Sequence, residues 1–447
     1  MVLPWSKKVF VLNPHQWMLI GFGIIIFIGT ILLGLPAASS SGESIGFLNA
    51  LFMSTSAVCV TGLAVIDTGS ALSVFGQLVI MVLIQVGGLG FMTFGVIIAI
   101  VLGKKLGLKY RLLIQESTKA TTIQGLVKLS FSIFLIAFIF EAIAAAILMF
   151  RWAGEMGYGK AAYYAVFHAV SAFNNAGFAL WSDSLSRFVG DPIINVVISA
   201  MFILGGIGFT VIMDVWQKSS WKKLSLHSKV VLLTSTVLSL LGFLFIFILE
   251  SLNPSFYDLS LSERLWGAYF QGVTPRTAGF NTMDIAGMMA ASQFFIIFLM
   301  FIGASSGSTG GGIKTNTFVV LILAMYATIR GRSEVHVFNR KIVTDIIMRA
   351  LTVILASLGI VLMVAFLLTI TEHALQRDFL EILFEVTSAF GTVGLSMGLT
   401  PELTSLGKLL IIFTMFVGRL GPLTLAFALA QKKTTHIGYA EEKVLIG

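Results

Sequence analysis

Long apolar segments recur along the whole chain and alternate with shorter, more polar ones. A helix needs roughly 20 consecutive apolar residues to cross the hydrocarbon core of a bilayer. Stretches of that kind occur at 17–35, 74–102, 126–150, 192–215, 230–249, 292–325, 346–370 and 406–430. The pattern therefore predicts an all-α polytopic membrane protein with eight spans.

Four further apolar runs lie between the two spans of each consecutive pair and, at about 12 residues, are too short to cross. They cover residues 47–58, 161–173, 261–273 and 379–390. Irregular, glycine-containing sequence follows each run, and irregular backbone at membrane depth is tolerated only where it is buried in protein or lines a water-filled cavity. We therefore expect four re-entrant loops that converge on a common axis.

The segments at the ends of these runs share a signature that closes with Gly-Leu or Gly-Phe. They read SAVCVTGL at 56–63, SAFNNAGF at 171–178, VTPRTAGF at 273–280 and SAFGTVGL at 388–395, with glycines 115, 102 and 115 residues apart. Four such motifs in register indicate internal repetition. The sequence predicts four tandem helix–pore loop–helix repeats around a pseudo-fourfold central pore, at 1–103, 104–218, 219–330 and 331–430, with a cytoplasmic tail at 431–447.

Composition agrees with a membrane protein, because 57% of the 447 residues are hydrophobic and only 11% are charged. The short connections leave no room for a soluble catalytic or nucleotide-binding domain. No His-Glu-x-x-His motif or paired acids on one span suggest an enzyme. The single cysteine, Cys59, lies within the first signature segment, three residues before its glycine, and is expected only to pack there.

The net charge of +8 is explained by topology rather than by nucleic-acid binding. Twenty of the 29 lysines and arginines lie in the N-terminus, the tail and the loops after the second, fourth and sixth spans. Basic residues concentrate in cytoplasmic loops. Both termini of this multi-pass plasma-membrane protein are therefore predicted to be cytoplasmic, with attraction to anionic lipid as a secondary effect.

The signature chemistry favours a cation. Glycine permits positive φ and lets successive carbonyls face the axis, where they can replace the hydration shell of an ion. The C-terminal ends of the short helices would add partial negative charge. A secondary transporter of an organic solute is the alternative, although such repeats are often inverted and these four have the same orientation.

The sixth span is too long and is interrupted by glycines and hydroxyl residues at 303–312. A phosphate-binding loop is excluded, because Ile313 separates Gly312 from Lys314 where a Gly-Lys-Ser/Thr ending is required. A structural kink is one explanation, and a flexible barrier across the pore is the one we favour.

Charged residues inside the apolar sequence are candidates for function, because each is costly in the bilayer. Arg419 is expected to face the pore, repel ions in the closed state and bond the loop carbonyls; a salt bridge to Glu141 is the alternative. Arg276 is expected to brace the third loop from behind. Bracing hydrogen bonds rather than a proton relay are expected for Glu141, Asp214 and Glu385. The glycines at 87–90 and 205–208 are explained by close helix packing, with a hinge as the alternative.

Together these residues resemble the Ktr/Trk/HKT potassium transporters over nearly the whole chain, and most closely the bacterial Ktr membrane subunit. The resemblance implies a potassium selectivity filter, because glycine stands in all four signatures, with K⁺ as its metal ion. The implied filter residues are Val60, Thr61, Gly62, Asn175, Ala176, Gly177, Thr277, Ala278, Gly279, Thr392, Val393 and Gly394. The implied gate residues are Gly303, Ala304, Ser305, Ser306, Gly307, Ser308, Thr309, Gly310, Gly311, Gly312, Lys314 and Arg419.

The resemblance also implies partners. It implies a homodimer, against which the apolar tail end at 444–447 would dock, and a cytosolic RCK-type nucleotide-binding ring that carries ATP or ADP and controls opening. Contact with that ring is expected at 104–128 and 330–341, although lipid contact would equally explain their charges. No cofactor is expected in this chain.

Overall fold

A computed structural model describes residues 14–90, 126–332 and 334–429, and fifteen α-helices and one two-stranded sheet lie within these ranges. The first predicted repeat contains α1 (Pro14–Gly34), α2 (Phe47–Val58) and α3 (Val74–Leu89). The second contains α4 (Leu126–Met156), α5 (Tyr158–Phe173), α6 (Pro192–Ile207) and α7 (Phe209–Gln217).

The third predicted repeat contains α8 (Leu226–Glu250), α9 (Leu261–Val273), α10 (Ala290–Phe301) and α11 (Thr315–Ile329). The fourth contains β1 (Val335–Val337), β2 (Arg340–Ile342), α12 (Thr344–Thr371), α13 (Phe379–Gly391), α14 (Ser405–Leu420) and α15 (Pro422–Leu429). Short 3₁₀ turns cover Pro36–Ala38, Ser186–Phe188, Trp221–Lys223, Pro254–Asp258, His373–Leu375 and Thr400–Glu402.

The first helix of each predicted repeat is long and apolar enough to cross a membrane. These helices are α1, α4, α8 and α12, and about 30% of the most apolar window of each is buried. Their outward faces carry large exposed apolar side chains, among them Phe27, Leu244 and Phe366. Because water would not tolerate so much exposed apolar surface, these faces contact lipid.

In three predicted repeats the helix that follows the signature segment is short and stops at a glycine with positive φ. α3, α6 and α14 each have 16 residues and end at Gly90, Gly208 and Gly421, with φ of +81°, +96° and +85°. At the latter two the chain turns by 93° into α7 and by 92° into α15. The predictions of single continuous spans at 192–215 and 406–430 are therefore wrong, because a left-handed glycine ends each helix. The predicted span 74–102 continues beyond Leu89 into residues outside those described.

The break predicted in the sixth span is confirmed. α10 ends at Phe301 and α11 begins at Thr315. The intervening segment, which we call loop 303–314, is irregular and is closed at its base by a parallel bridge between Ile302 and Ile313. No straight helix crosses at this position.

Neighbouring predicted repeats contact each other in chain order, and the fourth returns to the first. In each contact a residue of the helix that follows one signature segment (α3, α6, α10 or α14) meets the short helix of the next repeat. The pairs are Gln77 with Tyr163 at 2.7 Å, Ser199 with Tyr269 at 3.0 Å, the stacked rings of Phe301 and Phe390, and Lys408 with Asn49 at 3.0 Å. The four short helices are therefore linked into a closed ring through α3, α6, α10 and α14.

Candidate functional site

The four short helices α2, α5, α9 and α13 deliver the signature segments to the centre of this ring. Their bounds agree closely with the apolar runs predicted at 47–58, 161–173, 261–273 and 379–390. Each helix ends a few residues before its signature glycine, so its partly negative C-terminal end faces that segment. α9 ends earlier than the others relative to its glycine, because Pro275 cannot continue the helical hydrogen bonding.

A left-handed backbone recurs at two positions in every signature segment. The four glycines have positive φ: Gly62 at +91°, Gly177 at +70°, Gly279 at +78° and Gly394 at +93°. The residues two positions earlier share this conformation: Val60 at +55°, Asn175 at +59°, Thr277 at +67° and Thr392 at +50°. Positive φ is costly for non-glycine residues, above all β-branched ones, and such strain persists at functional sites.

The signature glycines touch one another in a closed circle, which we call the four-glycine ring. A Cβ atom added to Gly62 would lie 3.2 Å from the Cα of Gly177, and one added to Gly177 would lie 2.7 Å from the Cα of Gly279. The circle continues from Gly279 to the Cα of Gly394 at 3.4 Å and from Gly394 back to the Cα of Gly62 at 3.0 Å. No side chain fits into this ring without displacing backbone.

Backbone carbonyls also converge at this level. The Cβ of each substituted glycine would meet the carbonyl oxygen of the residue before the next glycine in the ring. These residues are Ala176, Ala278, Val393 and Thr61. Four such oxygens, backed by four helix C-termini, form an environment suited to a dehydrated cation.

Hydroxyl side chains within the signature segments hold the backbone of the four loops. Ser56 and Ser388 accept hydrogen bonds from the amides of Gly62 and Gly394, both at 3.1 Å. Ser171 and Thr274 instead donate to the carbonyls of Phe178 at 2.8 Å and Phe280 at 2.6 Å. Sequence reasoning did not assign these roles, although a serine opens three of the four signatures.

Loop 303–314 crosses between the ends of α6 and α14. The amides of Ser305 and Thr309 donate to the carbonyls of Gly206 and Gly205, at 2.9 and 3.2 Å. The amide of Gly312 donates to the carbonyl of Gly418 at 3.1 Å. Residues of the second, third and fourth predicted repeats therefore meet in this loop.

The same loop touches the strained residues of three signature segments. The Thr309 hydroxyl lies 2.8 Å from Oδ1 of Asn175, and the Gly311 amide donates to the Thr392 hydroxyl at 2.9 Å. A Cβ added to Gly310 would meet the hydroxyl of Thr277. The predicted gate and the predicted filter residues are thus in direct contact.

Two basic side chains, Arg419 and Lys314, donate hydrogen bonds to the carbonyls of this loop. The guanidinium of Arg419 donates to the carbonyl of Thr309 and to the carbonyls of Gly87 and Gly88 at the end of α3. The ammonium of Lys314 donates to Gly310 at 2.7 Å and Gly311 at 3.3 Å. The expectation that Arg419 bonds loop carbonyls is confirmed.

Glu141 has other partners than Arg419. Its carboxylate accepts from the side-chain amides of Gln85 and Asn174, both at 3.1 Å. Asn174 directly precedes the strained Asn175. The alternative of an Arg419–Glu141 salt bridge is therefore wrong, and Glu141 braces the second loop, as expected.

Arg276 braces the third loop against α8. The side chain is 7% exposed and donates to the carbonyl and hydroxyl of Ser235, at 3.2 and 3.0 Å. The expectation that Arg276 lies behind the loop is confirmed.

Two further acidic residues make local hydrogen bonds. Glu385 binds the hydroxyls of Ser396 and Thr400. Asp214 lies farther away and holds Lys218 and the start of α8.

The glycines at 87–90 on α3 and 205–208 on α6 allow close packing, as predicted, and Gly418 on α14 does the same. A Cβ at Gly87, Gly205 or Gly418 would strike the carbonyl of Val58, Phe173 or Phe390, the residue at or next to the end of the adjoining short helix. Helix and loop therefore approach at backbone distance.

Comparison with known proteins identifies the family. Residues 20–437 match the family described as "TrkH: Cation transport protein". The chain belongs to the TrkH family of cation transport proteins.

Relatives within the TrkH family extend over nearly the full chain. Ktr system potassium uptake protein B of Bacillus subtilis is 48% identical, covering 100% of this chain and 98% of the relative. The Vibrio alginolyticus protein of the same name is 41% identical over 96% of this chain and 94% of the relative. Potassium/sodium uptake protein NtpJ of Enterococcus hirae is 40% identical, covering 98% of both chains.

The fold is that of a solved TrkH-family structure. The crystal structure of the potassium transporter TrkH from Vibrio parahaemolyticus superposes with a TM-score of 0.71, covering 95% of this chain and 86% of that one at 20% identity. The expectation of an all-α membrane protein of this family is confirmed.

Proposed function

We propose that the chain is the ion-conducting subunit of a potassium uptake system and that K⁺ passes through the four-glycine ring. The closed circle of Gly62, Gly177, Gly279 and Gly394 is the observation that carries this proposal. The names of the Bacillus and Vibrio relatives support potassium as the ion. The Enterococcus relative is named for both potassium and sodium, so selectivity needs its own test.

In this mechanism the carbonyls at the ring replace the water of the entering ion. The left-handed backbone at the two positions in each signature turns successive carbonyls toward the centre, and the Ser and Thr hydroxyls behind the loops keep them there. The ends of α2, α5, α9 and α13 add negative potential. An organic solute would need a wider opening than a ring of glycine backbones in contact.

Loop 303–314 acts as a gate on one side of this ring. Its contacts with Asn175, Thr277 and Thr392 put backbone directly against the filter. The guanidinium of Arg419 adds a positive charge that opposes a cation there. Opening requires the loop to break its contacts with these residues. Because the loop connects α10 to α11, a movement of either helix would release it.

Regulation is proposed to come from outside the chain. We infer a homodimer in the bacterial cell membrane, with cytoplasmic termini, and a cytosolic nucleotide-binding ring that responds to ATP or ADP. Residues 104–125 of the predicted contact at 104–128, like the tail at 431–447, lie outside the described residues, and residues 126–128 are the start of α4. The second predicted contact, 330–341, includes the exposed β1–β2 hairpin, which stands next to the end of α11.

The decisive experiment compares wild type, Gly62→Ser and Gly359→Ser in cells that lack their own potassium uptake systems. Gly359 is the control because a Cβ there meets nothing within 4 Å. Wild type and Gly359→Ser should restore growth on low potassium and take up rubidium. Gly62→Ser should reach the membrane and lose preference for potassium over sodium.

Unchanged selectivity in a well-expressed Gly62→Ser protein would contradict the four-glycine filter. Failure of the wild type to transport rubidium with its partner present would instead contradict potassium uptake and favour an organic solute.

A further inference from the structure

A cavity lies away from the four-glycine ring, among α8, α11, the β1–β2 hairpin and the start of α12. Its volume is about 350 Å³, and nine of its twelve lining residues are aliphatic. The three others are His227, Asn316 and Lys341. This size and this combination of an apolar wall with a few polar groups are typical of a binding site for a small amphiphile.

One polar atom in the wall has no partner. The side-chain amide of Asn316 makes one hydrogen bond, from its Nδ2 to Nδ1 of His227 at 2.9 Å. Its Oδ1 is buried and accepts none within the described residues. A buried acceptor without a donor is unfavourable, so a ligand that brings a hydroxyl donor would stabilise this position.

Basic side chains surround the mouth of the cavity. Lys341 lines it, the ammonium of Lys229 lies 5.9 Å from the ring centre of Phe338 at the hairpin turn, and Arg340 is exposed beside them. Glu334 binds Lys341, and this hydrogen bond lowers the pKa of the Glu334 carboxyl. Asp345, in the first turn of α12, is a second acid beside the mouth, and Asp214, on α7 beside the start of α8, is paired with Lys218. Three bases against the two acids Glu334 and Asp345 leave the mouth positive and complementary to an anion.

The mouth also faces the lipid-exposed side of the helices. Val343 and Ile346, which line it on α12 and its N-cap, are 56% and 50% exposed. The cavity lies beside the starts of α8 and α12 and along the first part of α11. The charge pattern predicts that α8 and α12 begin on the cytoplasmic side. An acyl chain can therefore enter from the bilayer while its headgroup stays at the basic rim.

We propose that this cavity binds an anionic glycerophospholipid of the cytoplasmic leaflet through one acyl chain, a headgroup hydroxyl donated to Asn316 and a phosphate held at Lys341. Phosphatidylglycerol has this chemistry. Phosphatidylcholine has neither the hydroxyl nor the net negative charge.

The position of Asn316 links this site to the gate. Asn316 follows Lys314 by two residues, and the ammonium of Lys314 binds the carbonyls of Gly310 and Gly311 in loop 303–314. A lipid that fills the space between α11, α8 and α12 holds α11 in the described position, and so keeps the loop against the ring. This regulatory part rests on the proposed function, whereas lipid binding itself does not.

The test uses purified full-length protein washed in neutral detergent and then incubated with equal amounts of phosphatidylglycerol and phosphatidylcholine. Native mass spectrometry counts each retained lipid. Leu323→Trp fills the cavity, while Leu358→Trp fills a groove of the same volume between α10, α12 and α13 that is lined almost entirely by apolar side chains. Wild type and Leu358→Trp should retain phosphatidylglycerol severalfold over phosphatidylcholine, and Leu323→Trp should lose that preference.

Equal retention of phosphatidylglycerol by Leu323→Trp and wild type would overturn the site, as would an equal loss in Leu358→Trp. If Leu323→Trp does not fold, Asn316→Leu provides the test, because it removes the side-chain amide and should abolish the preference for phosphatidylglycerol without filling the cavity.

The regulatory part is tested in liposomes. The basal rubidium flux of wild type should fall severalfold as phosphatidylglycerol replaces phosphatidylcholine, and the flux of Asn316→Leu should not. An absence of rubidium flux from wild type and every variant would contradict the proposed function. The lipid site would then be tested by the mass spectrometry measurement alone.

Discussion

The guanidinium of Arg419 on α14 donates to the carbonyl oxygen of Thr309, the loop residue that also bonds to the strained Asn175. The same guanidinium reaches Gly87 and Gly88 on α3. One side chain from the fourth predicted repeat therefore fastens the loop of the third to the helix end of the first. This bridge holds the loop against the ring.

Removing the bridge should raise basal flux. Arg419→Gln eliminates both charge-assisted interactions, each worth about 1.5–3 kcal/mol, and about 1.4 kcal/mol corresponds to a tenfold change in an equilibrium. We expect at least about tenfold faster rubidium uptake into liposomes without the regulatory partner. Arg419→Lys, which reaches one carbonyl at a time, should lie between.

Lys408→Gln is the control for this prediction, because Lys408 is on the same helix and binds Asn49 rather than the loop. Its basal uptake should equal that of wild type. Unchanged uptake by Arg419→Gln would mean that the arginine does not restrain the gate.

Weakening the contact between loop 303–314 and the second signature segment should also raise basal rubidium uptake. Thr309→Val keeps the shape of the side chain but removes the hydroxyl that contacts Asn175 at 2.8 Å and the carbonyl of Phe173 at 3.3 Å. Loss of a buried hydrogen bond of this kind costs about 1 kcal/mol, so we expect basal rubidium uptake to rise about fivefold.

Ser308→Ala provides the comparison, because among the described residues the Ser308 hydroxyl bonds only within the loop, to the carbonyl of Ser305 at 2.6 Å. If both variants change uptake equally, loop flexibility rather than the contact with Asn175 is responsible.

Cys59 should be inert to thiol reagents in the folded protein. It is fully buried, just before the strained Val60. A water-soluble maleimide should label less than about a tenth of the protein under native conditions and nearly all of it in denaturant, as read by mass spectrometry, because labelling then requires opening of the structure. Rapid native labelling would show that the first loop opens to water. A cysteine introduced at the exposed Ser40 should label at once.

Periodicity in the sequence was sufficient for the short helices, because an apolar run of about 12 residues before a glycine has few other stable arrangements in lipid. It was not sufficient for α6 and α14. Their apolar character continues past Gly208 and Gly421, and hydropathy does not register a left-handed glycine that turns the chain by about 90°.

The sequence predicted those residues of the candidate site that differ from the apolar residues around them. The glycines, Arg276 and Arg419 stand out against apolar surroundings. The strain at Val60, the approach of Gly311 to Thr392 and the pairing of Gln85 with Glu141 depend on segments that are far apart in the chain. Such contacts exist only once the ring has closed, so a single sequence does not reveal them.

Loss of the brace behind the third loop should impair stability and selectivity together. Arg276→Met keeps a long apolar stem but removes both hydrogen bonds to Ser235. We expect a loss of about 1–3 kcal/mol, seen as a lower temperature of thermal aggregation, and a reduced ratio of potassium to sodium in competition assays because Gly279 is less firmly held. Ser235→Ala retains the carbonyl partner and should show a smaller change of the same kind. Thr236→Val, next to it but bonded within its own helix, should match wild type. A destabilised Arg276→Met protein with wild-type selectivity would show that the arginine supports the fold without positioning the filter.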